Sequence, residues 1–252
     1  MRTIQKYGWH PDLPDHRDFK FSVPFLKCLF QPASVDLRSA CPPVYDQLSL
    51  GSCTANAIGA MDQFVRMKEG IDAFMPSRLF IYYNERDAEG TVGYDSGANL
   101  RDGMASIANQ GVCPETMLPY DVSNFIQTPA ENCYLVAKQH EAITYLSVDQ
   151  QLSDMKHCLL EGYPFVFGFT VFESFESRAV ASNGVVPMPT QGEGTVGGHA
   201  VMCVGYFDAP KVFIVRNSWS DQWGDHGYCY MPYDYLLNPG LASNFWTLRK
   251  AA

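Results

Sequence analysis

The stretch QLSLGSCTANA, residues 47–57, sets Cys53 directly behind Gly51 and Ser52 and ahead of an apolar run. From Cys53 to Lys68, Ala57, Ile58, Met61, Phe64 and Val65 recur at three- and four-residue steps. That spacing predicts a helix with one buried face, stopped by Gly70. Cys53 then stands at a helix N-terminus, where the dipole and free N–H groups favour a thiolate. Gly51 and Ser52 leave space in front of the sulfur. Alone, such a cysteine is more often a packing residue, so its reading depends on what the rest of the chain supplies.

Downstream, Ser77 is a candidate cap for a helix through LFIYYNER, residues 99–110 suggest a third helix closed by Gly111, and QLSDMKHCLLEG suggests a fourth. After residue 162 the character changes. PFVFGFTVF, HAVMCVGYF and KVFIVRNSW are short, rich in Val, Phe and Tyr, and bounded by Gly, Pro and Asp. FDAPK reads as a hairpin connection between the last two. Helices early and strands late predict an α+β protein of two lobes with a cleft between them.

A cysteine nucleophile needs a base, a partner that orients the base, and donors for an oxyanion. His199 follows two glycines in VGGHAVMCVGY, and Asn217 opens NSW at the end of the next strand. If those strands pair as a hairpin, the two side chains meet at one end of the sheet. The Asn217 amide oxygen can then accept from one imidazole nitrogen while the other faces the thiolate.

Cys53, His199 and Asn217, in that order, resemble the triad of the papain-like cysteine peptidases. NSWSDQWGDHGYCYM, from Asn217, is similar to that family's NSWGxxWGxxGY segment, and Gln47 stands where the family has a glutamine, six residues before the cysteine. The resemblance runs from about Val35 to the C-terminus. It implies a papain-like fold, a helical lobe facing a β-barrel-like lobe, and hydrolysis of peptide bonds through an acyl-thioester without metal or organic cofactor. It implies an oxyanion site of Gln47 and the Cys53 N–H, and a Trp219 that shields the His–Asn hydrogen bond. Gly97 and Ala98 fall where two glycines would bond an extended peptide through the backbone, and Ser52 and Ala200 flank the triad as further substrate-binding candidates. A ligase or transpeptidase using the same thioester, and a silent binding module, are the alternative readings.

The chain also departs from the family pattern. The C-G-[SA]-C-[WY] signature reads L-G-S-C-T at residues 50–54, so Leu50 cannot form the family's nearby disulfide, and the cysteine at its other end is replaced as well. Thr54 stands for an aromatic. Residues 1–33, with four prolines, are expected to form an extended segment over the surface. They are too few for the family's helical inhibitory propeptide and form an N-terminal extension, a short pro-segment or gate, ahead of a peptidase domain at 34–252.

Composition narrows the classes further. A net charge of −9 argues against a nucleic-acid partner, and no apolar run reaches membrane-helix length. The start lacks a secretory h-region, which leaves a cytoplasmic chain, non-classical export, or a leader already removed. Without a CxxC pair a zinc site has no support. The partner expected is a peptide or protein substrate, with a monomer favoured. Cys203 and Cys229 read as buried thiols, whereas Cys28, Cys41, Cys113, Cys133 and Cys158 could be free or bridged.

Overall fold

The first predicted helix forms as α1 (Cys53–Glu69) in the computed structural model, which describes residues 7–22, 31–140 and 143–250. Ser77 starts α2 (Arg78–Glu89) by accepting from the Phe80 N–H, and Asn99 starts α3 (Leu100–Gln110) by accepting from the Asp102 N–H. Gly70 and Gly111 end α1 and α3 as expected. The sequence did not announce α4 (Glu131–Ala137), whose seven residues are too few to show a period. α5 (Leu152–Leu160), α6 (Arg178–Asn183) and α7 (Tyr233–Leu237) complete the helices among the described residues.

Seven strands, β1 (Ser34–Asp36), β2 (Ile143–Ser147), β3 (Phe165–Phe172), β4 (Thr195–Phe207), β5 (Val212–Arg216), β6 (Tyr228–Pro232) and β7 (Ala242–Lys250), make one antiparallel sheet. Its order is β2-β7-β3-β4-β5-β6, with β1 added on β4. FDAPK forms the predicted β4–β5 hairpin, closed by the Lys211 N–H on the Asp208 carbonyl.

Two cores explain why the central strands read as unbroken apolar runs rather than alternating ones. Val166 of β3 and Ala200, Met202 and Val204 of β4 face the helical core built on Ile58, Met61, Phe64 and Phe80. Their neighbours Phe165, Phe167, Val201 and Cys203 belong to a second, aromatic-rich core on the other face. Side chains alternate along a strand, so a sheet covered on both sides is apolar at every position.

The N-terminal segment departs from the expectation of a surface path. Trp9 and Phe21 are buried, and between them Leu13 and Phe19 stay exposed. Phe21 docks through its N–H on the Ser147 carbonyl beside β2, and Trp9 enters the cleft. Two apolar anchors in an otherwise polar, proline-containing stretch carry no periodicity, so pattern reading passes over them. The seven described cysteines are all free, with Cys203 and Cys229 buried; Cys28 lies outside the described residues.

Candidate active site

Cys53 is the first residue of α1, whose Ser52 N-cap makes no side-chain cap bond, so the sulfur sits by N–H groups that lack intrahelical partners. α1 packs on β4, which carries His199. His199 Nε2 lies 2.8 Å from Asn217 Oδ1, at the matching end of β5, while buried Nδ1 has no protein partner. Asn217 is pinned through its own N–H on the Gly227 carbonyl, and its Oδ1 also accepts from the Ser218 N–H. Trp219 stacks on the imidazole at 5.0 Å and 28°. Trp219 is itself buried, so an apolar ring covers the imidazole.

Gln47 is buried and tied across the lobes. Its N–H donates to the Ser218 carbonyl, its Oε1 accepts from Ser218 Oγ at 2.7 Å, and its Nε2 donates to the Leu50 carbonyl at 3.1 Å. Asp46 forms an antiparallel bridge with Trp219, so the glutamine turn and the Asn217–Trp219 segment hold each other. The Ala200 N–H is directed at the Cys53 sulfur. The Ser52 hydroxyl, by contrast, is spent on Tyr120 Oη at 2.6 Å and on Asn56 Nδ2, which makes it a positioning contact rather than groove surface.

Two groups absent from the sequence reading hold this arrangement. Asp95 accepts from the Gly51 N–H and from Tyr82 Oη, and Tyr82 Oη accepts from the Gly97 N–H at 3.1 Å. One carboxylate–phenol pair thereby holds both the turn before Cys53 and the backbone at Gly97. Glu85 is the second. Thr54, in the place of the aromatic, donates its hydroxyl to Glu85 Oε2 at 2.8 Å, and Glu85 Oε1 is buried without a partner. No local spacing links residues 54 and 85; only the packing of α2 on α1 brings them together.

Burial holds the Glu85 carboxyl well above the usual glutamate range. The unfolded chain therefore releases this proton near pH 4.5 while the folded chain keeps it, so stability falls as pH rises through the interval above that value. Glu85→Gln, which cannot ionise, flattens this fall; urea midpoints at pH 5 and pH 8 move closer together than in the parent protein. An unchanged gap would mean the carboxyl is ionised in the fold.

The cleft is filled by the chain's own N-terminal segment. The Ala98 N–H donates to the Gly8 carbonyl at 2.7 Å, the His10 N–H donates to the Ala98 carbonyl at 3.1 Å, and the Trp9 N–H donates to the Gly198 carbonyl at 3.0 Å. Trp9 thus pairs with Ala98 as a parallel bridge. The Gly8 N–H is directed at the Cys53 sulfur. Tyr7 lies edge-on to His199 at 5.8 Å and donates its hydroxyl to Glu176. Under this cover Cys53 and His199 are both 0% exposed. Burial pushes the Cys53 thiol up to about 12, and burial pulls His199 down to about 4 despite the Asn217 bond that opposes it. Both groups are neutral at neutral pH while the segment is in place.

A family model described as papain family cysteine protease matches residues 31–245. An uncharacterized peptidase C1-like protein of Acanthamoeba polyphaga mimivirus is 44% identical over 214 residues, 81% of this chain and 69% of that protein. Mouse (Mus musculus) cathepsin S is 26% identical over 84% of this chain, which spans 62% of its length. Among solved structures, xylellain, a cysteine protease from Xylella fastidiosa, superposes with a TM-score of 0.90 at 41% identity, covering 100% of this chain and 98% of that one.

Proposed function

The chain belongs to the papain family of cysteine proteases, and from that premise we propose that Cys53, His199, Asn217 and Gln47 carry its thiol-peptidase chemistry. The observation that supports it most is the His199 Nε2–Asn217 Oδ1 bond beside a buried, unpartnered Nδ1. Asn217 fixes the ring, and Nδ1 is left to exchange a proton with Cys53. The Cys53 thiolate attacks the peptide carbonyl carbon, forming a C–S bond and an oxyanion. The Cys53 N–H and Gln47 Nε2 receive that charge, worth about 3 kcal/mol per donor. His199 gives its proton to the amine as the C–N bond breaks, then takes one from water, whose oxygen attacks the thioester and releases the acid.

The Gly8–Trp9 segment, hydrogen-bonded to Ala98 and Gly198, acts as a gate in this reading. The Gly8 amide faces the sulfur there, and the Gly8 carbonyl is held by the Ala98 N–H. Cys53 and His199 ionise as a pair only once it leaves, because the closed cleft excludes the water that would solvate either charge.

Treating the full chain with a thiol-alkylating peptidyl epoxide and mapping the adduct by mass spectrometry tests this directly. One label is expected, on Cys53, with activity on a fluorogenic peptide falling in step with labelling. A fully labelled protein that still cleaves peptides, or an inactivating label elsewhere, would remove Cys53 from the role.

A further inference from the structure

The glycine before Ser52 and Cys53 is approached by a carboxylate. A β-carbon built on Gly51 would lie 3.0 Å from Asp95 Oδ1 and 3.3 Å from Oδ2. The Gly51 N–H donates to these oxygens at 3.2 and 3.1 Å. Gly51 does not lie in the left-handed region, so the turn itself does not call for a glycine. Its missing side chain instead lets Asp95 close on the backbone.

Asp95 is in turn aimed from α2. Arg86 is buried, and its Nη1 donates to the Val92 and Tyr94 carbonyls at 2.9 and 3.2 Å. Those carbonyls belong to the loop that delivers Asp95. The same guanidinium lies 4.0 Å from the centre of the Tyr82 ring and donates through Nε to the Tyr82 carbonyl at 3.1 Å. The Tyr82 hydroxyl donates to Asp95 and accepts from the Gly97 N–H at 3.1 Å. Burial, then the Asp95 bond, holds this phenol above the usual tyrosine range, so its proton stays available to donate. The described cysteines are all free, so the link from Gly51 to Gly97 rests on hydrogen bonds alone.

The segment from Gln47 to Cys53 supplies both proposed oxyanion donors. It is closed on itself by the Leu50 N–H on the Gln47 carbonyl at 3.3 Å and by Gln47 Nε2 on the Leu50 carbonyl. Ser218, beyond β5, holds this turn at Gln47, and Asp95 holds it at Gly51. We propose that Asp95 is a positioning residue for the reaction with two separable arms. Through Gly51 it holds the oxyanion turn, and through Tyr82 it holds the backbone at Gly97, beside which an extended peptide pairs with Ala98. The first arm acts on turnover and the second on binding. This rests on the peptidase reading above.

The experiment places Asp95→Ala, Asp95→Asn and Tyr82→Phe in the full-length Trp9→Ala chain, so that a weakened gate is common to all. Two fluorogenic substrates are compared: an acylated dipeptide amide that reaches Ala98, and a single-residue ester too short to do so. Asp95→Ala is expected to lower kcat on both at least about tenfold, the scale of one hydrogen bond to a charged group. Asp95→Asn keeps an acceptor oxygen for Gly51 and is expected to fall between Asp95→Ala and the parent. Tyr82→Phe is expected to raise KM for the dipeptide about fivefold, the scale of one neutral hydrogen bond, with a smaller change for the ester. Thermal unfolding identifies a variant that fails to fold; if Asp95→Ala does, the Asp95→Asn and Tyr82→Phe chains carry the test. A folded Asp95→Ala chain with the parent's kcat, or a Tyr82→Phe change equal on both substrates, overturns the assignment while the peptidase reading stands. A Trp9→Ala chain that cleaves neither substrate, with Cys53 open to alkylation, overturns the peptidase reading and the assignment together.

Discussion

Replacing Cys53 by alanine lowers kcat on a peptide substrate on the order of 10⁵-fold or more, the scale on which removing the nucleophile of a triad acts. The alanine chain still folds, because in the closed structure the Cys53 thiol is neutral and supplies no ion pair to the fold. A second substitution, His199→Ala, then costs almost nothing further, since a base without its nucleophile has no proton to take. Active-site titration beside thermal unfolding checks both statements. Retained turnover in the single variant, or a large additional loss in the double one, would show that Cys53 and His199 do not work as one unit.

Replacing Trp9 by alanine raises activity of the full chain at least about tenfold. Trp9 is 6% exposed, and truncating a buried tryptophan to alanine costs about 3–5 kcal/mol where the contact holds two parts together. Tenfold in an equilibrium is about 1.4 kcal/mol, so even half of that loss moves the gate by more than an order of magnitude. The three backbone hydrogen bonds of Gly8–His10 remain available in the variant, which is why the effect is a shift in population and not complete release. The measurement is the rate of peptide cleavage and, in parallel, the rate of Cys53 alkylation; both rise together if the segment shields the sulfur. Alkylation that does not speed up would mean the thiol is reached by another route.

The groups proposed to carry the chemistry could be picked out because each sits in a local pattern: Cys53 at a helix start behind two small residues, His199 in β4 and Asn217 just after β5, two strands joined by a hairpin. The helices α1, α2 and α3 could be read for the same reason: α1 from its period, α2 from its Ser77 cap and α3 from its closing Gly111. Tyr82 and Asp95, which hold Gly51 and Gly97, leave no such trace. Neither does Glu85 beneath Thr54. These contacts join residues far apart in the chain, and a lone Tyr, Asp or Glu in an apolar helix or a loop says nothing of its partner. The path of Gly8 and Trp9 was missed differently. An extended segment has no period to betray a buried residue, and a prolyl, polar context points to the surface. Gly168, a glycine amid the phenylalanines of β3 with no turn to serve, lies where a β-carbon would meet the Trp9 ring, and Gly198 does the same in β4.

The proposed gate is covalently part of the chain it would close. Trp9 is held within reach of Ala98 by a segment anchored again at Phe21, on the Ser147 carbonyl. Its competition with substrate is therefore unimolecular, governed by an effective concentration in the mM range typical of a short flexible tether. Dilution leaves the closed fraction unchanged, and two molecules do not help each other open. A substrate sees an apparent dissociation constant equal to its true one divided by the open fraction, so the parent chain and one with a weakened gate differ in half-saturation more than in the rate reached when substrate is in excess.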